Sequence, residues 1–320
     1  MVVSVNQQAK MLFDKMVENN ELLQVNVFKT GDGAHIIDAG INAKGSIAAG
    51  EMATEICLGG LGKANVVTAQ YGDVFLPSIM VSTSYPPIST LGSQFAGWRI
   101  VDKKEKFFGM GSGPARALSL KPKKLYKEID YEDKADVAVL FLEADKLPND
   151  EVVEVIAEGC NVKTSQVNIV VAPTSSIVGS IQISGRVVET GIHKISEVGL
   201  DPKKIIYASG CAPVAPVHPD STKAMGRTND QIIAAGHVTL FVDSDNDEEL
   251  AEIVKKTPSS ASKSYGKPFY QIFKEAGFDF YKIDPGIFAP ASILVNNIKT
   301  GKSHVAGKID IPLLKKTNEI

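Results

Sequence analysis

The stretch that most constrains this chain runs from Val171 to Val198, VAPTSSIVGSIQISGRVVETGIHKISEV. It opens on the end of an apolar run, Val167 to Val171, and turns through Pro173-Thr174-Ser175-Ser176, residues that suit a turn or a helix N-cap. The spacing beyond predicts one long helix. At about 100° per residue, Gln182, Arg186, Glu189 and His193 fall within an arc of roughly 60°. Ile181, Val188, Ile192 and Ile195 lie on the other side, and Ile183, Val187 and Val198 widen the apolar part. A solvent-facing helix shows a broad Lys/Glu face. Here a narrow polar stripe runs along a mostly apolar cylinder. Gly185 and Gly191 thin it, at about 1 kcal/mol each in helix propensity. A stripe holding one Arg and one Glu at i, i+3 is expected to face a cleft. Two readings stand: a structural ion pair, worth a few tenths of a kcal/mol on a surface, or a carboxylate placed for chemistry.

The totals narrow the function class. The chain has 320 residues, enough for two domains or one large one, and 44% are hydrophobic, so a sizeable core is possible. Charged residues are 22% with a net charge of −3, which argues against nucleic-acid binding through bulk charge. Cys57, Cys160 and Cys211 are far apart with no CxxC, which fits a reducing compartment and neither a disulfide framework nor a zinc ribbon. No apolar run reaches the ~18 residues of a membrane span. The N-terminus lacks a signal-peptide pattern. A soluble, cytoplasmic protein is expected, with no membrane partner.

Ser4 with Gln7 resembles a capping box, and Val5, Ala9, Leu12 and Met16 follow at helical spacing, so residues 4–19 are predicted helical. Two hairpins are predicted, around Gly31-Asp32-Gly33 and around Tyr71-Gly72-Asp73, with a helix over 48–58 between them. A short helix is expected through Ala96. The charged run Lys121 to Lys134 reads as a solvated connector. It sets the expected border between domains 1–134 and 135–320. Beyond it come strand 136–142, helix 150–158, strand 167–171, the central helix and strand 204–208, an order that predicts parallel α/β. Ser209 to Asp230, with Pro213, Pro216 and Pro219, reads as a long loop of the functional kind. A helix over 247–256 follows.

Phe108 to Arg116, FGMGSGPAR, is the second informative stretch. Its glycines leave backbone N–H groups open, Pro114 suits a first helical turn, and Arg116 adds a cation. Gly111, Ser112, Gly113 and Arg116 are therefore candidates for a phosphate cradle, against an ordinary glycine turn. The known fingerprints fail: G-x-G-x-x-G needs glycine at Pro114, and a P-loop ending at Gly301-Lys302-Ser303 needs glycine at Asn296. The five histidines form no metal motif, so no metal site is expected. Arg227, within AMGRTND, is either an anion ligand or one half of a loop-pinning ion pair.

Several long motifs together carry a family resemblance: SVNQQA near the start, CLGGL at 57–61, FGMGSGPARAL at 108–118, VAPTSSIVGSIQISGRVVETGI at 171–192 and AMGRTND at 224–230. The chain resembles the methenyltetrahydromethanopterin cyclohydrolases of the archaeal one-carbon pathway, over essentially its whole length. The resemblance implies two α/β domains with a substrate cleft between them, a homo-oligomer (a trimer favoured), and no prosthetic group, with tetrahydromethanopterin as the C1-carrier substrate. It implies addition of water to a cationic methenyl bridge and opening to the 5-formyl compound. The family's catalytic Arg and Glu fall on Arg186 and Glu189. Gln182 is expected to join them at the substrate. The phosphate in the coenzyme's tail would suit the glycine loop. One departure is visible: the family's Gln-Lys before Ala-Gly-Trp is here Gln94-Phe95-Ala96-Gly97-Trp98. Two other classes compete, a non-catalytic pterin or phosphometabolite binder and a glycine-loop nucleotide or phosphosugar transferase.

Overall fold

A computed structural model describes residues 3–279 and 282–320. The chain opens with α1 (Val5–Glu18), α2 (Asn20–Leu23), β1 (Asn26–Lys29), β2 (His35–Asp38) and α3 (Ile47–Cys57). Then come β3 (Gly62–Tyr71), β4 (Val74–Thr83), a π-helical segment Ile88–Gln94, β5 (Trp98–Asp102) and β6 (Phe107–Ser112). The middle holds α4 (Ala115–Ser119), α5 (Lys123–Ile129), β7 (Ala138–Glu143), α6 (Asp150–Cys160), β8 (Val167–Ala172), α7 (Ile177–Ser184) and α8 (Val187–Glu197). The last third adds β9 (Ile205–Pro213), α9 (Ser221–Ala235), β10 (His237–Val242), α10 (Asp247–Lys255), α11 (Phe269–Glu275), β11 (Ser292–Asn297), β12 (Ser303–Gly307) and α12 (Ile311–Asn318). The fold is α/β, with two mixed six-stranded sheets.

Contacts divide the chain into two compact units, residues 1–63 with 87–182, and 64–86 with 183–320. The border expected at 134/135 does not coincide with this division. The charged run before it contains α5, and β7 just after it joins the same sheet as β6. A solvated stretch marks exposure, and exposure occurs inside a unit as readily as between units.

The first unit carries the order β1-β2-β8-β7-β6-β5. Strands β2, β8 and β7 run parallel to their neighbours among themselves, and the flanking pairs are antiparallel. Both faces are covered. Val152, Val153 and Ile156 of α6 pack with Leu140, Leu142 and Ile169 on one face. Ala49, Ala53 and Ile56 of α3 pack with Phe141 and Val170 on the other. Burial on both sides is why β7 and β8 are continuous apolar runs. The predicted capping box forms its forward half: Ser4 Oγ accepts from the Gln7 N–H at 3.2 Å.

The second unit carries the order β12-β11-β10-β9-β4-β3. Here β9 is antiparallel to both neighbours, and only the β10–β11 pair is parallel among the registers described. The expectation that β8, the central helix and β9 form one parallel unit is therefore overturned, because β8 and β9 belong to different sheets. Helix α8 lies on the buried face of this second sheet. A Cβ on Gly191 would come within 2.9 Å of a Val238 methyl, so the missing side chain lets the helix backbone approach β10. No helix among the described residues is long and apolar enough to cross a membrane.

Candidate active site

The predicted long helix is two helices. α7 ends at Ser184 and α8 begins at Val187, with Arg186 as its N-cap residue at φ −80°, ψ 4°. Gly185 sits at the break, where low helix propensity makes the interruption cheap. The division between units falls inside α7, after Gln182. The single wheel drawn over 182–193 thus applies only to its second half.

The break gives Glu189 a different setting from mid-helix. It lies in the first turn of α8, where the helix dipole favours an anion by about 0.3–1 kcal/mol. It is 2% exposed. Arg186 folds forward over that turn. Its Nε donates to Glu189 Oε2 at 2.8 Å, and its Nη2 lies 2.7 Å from the same oxygen. The hydrogen bond and the ion-pair contact both fall on Oε2. The Arg186 side chain is 22% exposed. One turn on, His193 Nε2 lies 3.9 Å from Glu197 Oε1, a pairing along the helix surface.

Gln182 is buried in the first unit and donates to the Cys57 thiol sulfur at 3.3 Å. The structure does not place it on one helix with Arg186 and Glu189.

The glycine stretch differs from its prediction. Gly109, Gly111 and Ser112 belong to β6, which is paired on both sides, so the motif is sheet rather than an open loop. A Cβ on Gly111 would stand 3.1 Å from the Trp98 carbonyl oxygen, so a side chain there would press on the neighbouring strand. The Gly113 N–H donates to Ser93 O at 2.9 Å. Ser112 Oγ donates to Gln94 O at 2.8 Å. α4 is one short turn of five residues.

Arg116 is fully buried. Its Nε donates to Lys121 O at 2.8 Å, and its Nη1 donates to Leu91 O at 3.2 Å and Ser93 O at 3.0 Å. The guanidinium also stacks over Phe95 and Tyr126. The Tyr126 hydroxyl donates to Gly92 O at 2.8 Å, and burial pushes its pKa up, so it stays a donor. The carbonyls of residues 91–94 at the end of the π-helical segment are thus met by Arg116, Tyr126, Gly113 and Ser112. In place of a phosphate cradle, these residues form a helix C-terminal clamp. Phe95 is part of the same stack.

Arg227 lies in α9, not in a loop. Its Nη2 pairs with Glu319 Oε2 at 2.9 Å, the ion-pair alternative. The long loop shrinks to residues 214–220, because Asp220 caps α9 by accepting from the Lys223 N–H.

Sequence spacing does not point to Glu143. It ends β7 as the only charged residue of AVLFLE, and its Oε1 accepts a hydrogen bond from the Thr174 hydroxyl in the β8–α7 turn. Two surface cavities of the first unit, about 370 Å³ beside Glu105, Lys146 and Asn149 and about 700 Å³ beside Ser4, Tyr131 and Lys134, contain none of the predicted site residues. Among the described residues no group of three His, Cys, Asp or Glu side chains is placed to hold a metal ion.

A family model described as Cyclohydrolase (MCH) matches residues 4–317. Curated methenyltetrahydromethanopterin cyclohydrolases from Methanothermobacter thermautotrophicus and Methanocaldococcus jannaschii are 50% and 49% identical over 319 residues, with 99% of this chain covered in each case and 99% and 98% of the relatives. The protein of that name from Methanococcoides burtonii is 48% identical over 313 residues, covering 98% of this chain and 97% of its own.

Proposed function

Because the chain belongs to the cyclohydrolase (MCH) family, we propose that it hydrolyses 5,10-methenyl-tetrahydromethanopterin reversibly to the 5-formyl compound, as a step of methanogenic one-carbon metabolism, with Glu189 as base and then acid. The observation that carries the residue assignment is the one-sided grip of Arg186 on Glu189 Oε2. A carboxylate held by one oxygen is oriented, and its other oxygen can meet a water molecule.

The chemistry follows from the substrate's charge. The methenyl carbon lies between two nitrogens and shares one positive charge with them. It is electrophilic, but neutral water attacks it slowly. Glu189 Oε1 accepts a proton from the attacking water as the C–O bond forms, which gives a neutral tetrahedral adduct. One C–N bond then breaks as the C=O of the formyl group forms. The departing nitrogen takes a proton from the same carboxyl group, and the adduct hydroxyl loses its proton to solvent. One water is consumed and one proton released. A positioned carboxylate acting this way contributes roughly 10²–10⁴-fold. Arg186 fixes the rotamer of Glu189 and holds its charge against the helix N-terminus. No prosthetic group or metal takes part in this scheme. The same reading carries a homo-oligomer and a cytoplasmic setting.

The test is absorbance-monitored hydrolysis of the methenyl compound, with chelator present, by the wild type and Glu189→Gln. Turnover by the wild type and at least a hundredfold loss in the variant, at the low end of a general base's contribution, is expected. Near-normal turnover by Glu189→Gln would remove that residue from the role. A folded wild type without turnover would point to a pterin-binding protein.

A further inference from the structure

The sheet of the second unit is finished on one side only. On its buried face Val81, Val238, Leu240, Ile293 and Val295 are at most 2% exposed. The registers put the alternate residues of β4, β9, β10, β11 and β12 on the opposite face, with Met80 beside Cys211, Tyr207 beside Phe241 and Leu294 beside Val305. One end of that face is closed, where the Tyr71 hydroxyl stands 3.0 Å from Ser78 Oγ and Tyr71 packs with α9 and α12. Beyond it the face is open: Met80 is 51% exposed, Tyr207 50%, Phe241 36% and Val305 65%. Single exposed apolar residues are ordinary. What sets this face apart is its charge. The outward positions within 78–82, 207–213, 237–241, 292–296 and 303–307 hold no Asp, Glu, Lys or Arg. A surface with the usual share of charged residues would place about four or five there. The imidazole of His237 is neutral as well, with Nδ1 2.7 Å from Ser292 Oγ, Nε2 3.2 Å from Thr239 Oγ1, and a pKa lowered by burial. Charge sits at the rim instead, where Lys299 pairs with Asp243 at 3.6 Å and Asp245 at 2.5 Å beyond the strand ends. Charge depletion with aromatic and Met side chains inside a polar rim is the composition of a protein–protein interface core.

We propose that this open face of β4, β9, β10, β11 and β12 is the surface on which a second copy of the chain docks. The proposal rests on the homo-oligomer reading above and assigns it a surface. The occupant follows from charge. A partner that laid an acidic or basic residue on this face would bury it with no counter-ion, which is strongly unfavourable. A second copy brings a face of the same neutral kind. The relief also suits it. Tyr207 and Phe241 meet edge to face, with ring centroids 6.3 Å apart, and form a ridge beside the low ground of the Ser209–Thr239 pair. Two sheets pack by interdigitating such ridges and hollows, about 10 Å apart.

Sedimentation velocity on the full chain over a range of concentrations reads the mass, against 34.2 kDa for one copy. The variants are Phe241→Glu and Val305→Glu on the face. Leu22→Glu, at a 78% exposed position of the first unit, controls for added charge, and circular dichroism checks the fold. The wild type is expected to sediment as an oligomer. Phe241→Glu puts an unpaired charge into the contact and should raise the dissociation constant at least about a hundredfold. Val305→Glu, on the outermost strand, should raise it about tenfold or more, and Leu22→Glu should leave it unchanged. A wild type that is monomeric at every concentration overturns this proposal together with the homo-oligomer reading. An oligomer that a folded Phe241→Glu keeps at wild-type affinity leaves that reading standing and overturns the assignment of the face. If Phe241→Glu does not fold, Val305→Glu decides in its place, since its side chain is mostly in water. Dissociation by Leu22→Glu alone puts the contact elsewhere and also overturns it.

Discussion

Arg116 and Arg186 look alike in the sequence and differ in everything the fold does with them. Each follows a glycine-containing stretch, and each invites a functional reading. Arg116 is closed in, with its donors on the carbonyls of Lys121, Leu91 and Ser93 and aromatic rings on its faces. Arg186 stays partly exposed and holds one oxygen of a buried carboxylate by a hydrogen bond and an ion-pair contact. The difference lies in the partner. Backbone carbonyls can hold a guanidinium without any acidic residue announcing it in the sequence. A side-chain partner three residues away leaves a visible pattern. A buried Arg is thus a strong sign of scaffold when carbonyls surround it, and a candidate for chemistry when it holds a carboxylate.

The largest expected effect tests the scaffold half. Arg116→Met leaves the buried Leu91 carbonyl without its side-chain donor, while Ser93 O keeps the Gly113 N–H; one such unsatisfied group costs about 1–3 kcal/mol, so unfolding free energy should fall by roughly that amount or more. Denaturant melts would show it. Turnover per folded molecule should keep its KM within about twofold. A stable variant with a tenfold higher KM would restore the anion-binding role to Arg116 and erase the contrast.

Asp230 sharpens the same point from the acidic side. It is buried in α9 and accepts from the Phe269 N–H at 2.8 Å, and burial pushes its pKa up to about 8. The folded state therefore keeps a proton that the unfolded state releases above about pH 4. Stability contributed by this group is full below that pH and declines as pH rises to about 8. Asp230→Asn should flatten that decline and raise the melting temperature at pH 7. Parallel melts from pH 5 to pH 8 decide it. A wild-type slope identical to that of the variant would mean that the carboxylate is ionised when folded.

What the sequence revealed, and what it hid, follows the same division between local and distant causes. The α1 cap at Ser4, both hairpins, α3, α6, β8 and α10 depend on neighbours within a few residues, and each is found within a residue or two of its expected place, apart from somewhat longer strands in the second hairpin. The two halves of the central helix read as one because apolar spacing continues across Gly185. The start of α9 reads as loop because Ser221 to Asp230 contains Gly226, Thr228 and Asn229, poor helix formers that tertiary contacts override. The assignment of β8 and β9 to different sheets depends on partners far along the chain, β2 and β7 for one, β4 and β10 for the other. At the site, the i, i+3 pair was legible. The carbonyl partners of Arg116 and the strand-end partnership of Glu143 with Thr174 were not, since neither has a fixed sequence spacing.

Arg186→Lys probes the catalytic half without removing charge. Lysine has a compact ammonium with no planar fork, so it can neutralise Glu189 but not fix its rotamer. A misplaced base loses orientation, and kcat should fall about tenfold to a hundredfold while the melting temperature moves little. Steady-state kinetics beside a melt checks both. If kcat is intact, charge alone suffices, and the directed Nε hydrogen bond is incidental.

The smallest effect is expected at Arg227, the cation whose partner is mostly in water. Glu319 is 74% exposed at 2.9 Å from its guanidinium, so solvent and salt screen the pair. Arg227→Gln should change stability by less than about 1 kcal/mol, and less again at high salt. Melts at two ionic strengths measure this. The informative quantity is the turnover KM taken alongside. A pure ion pair at the end of the chain predicts that it is unchanged. A tenfold rise with unchanged stability would mean that the guanidinium leaves Glu319 for an anionic part of the substrate. Arg227 would then stand with Arg186 rather than with Arg116, and exposure, not partner type, would be the property that separates the working arginines from the structural one.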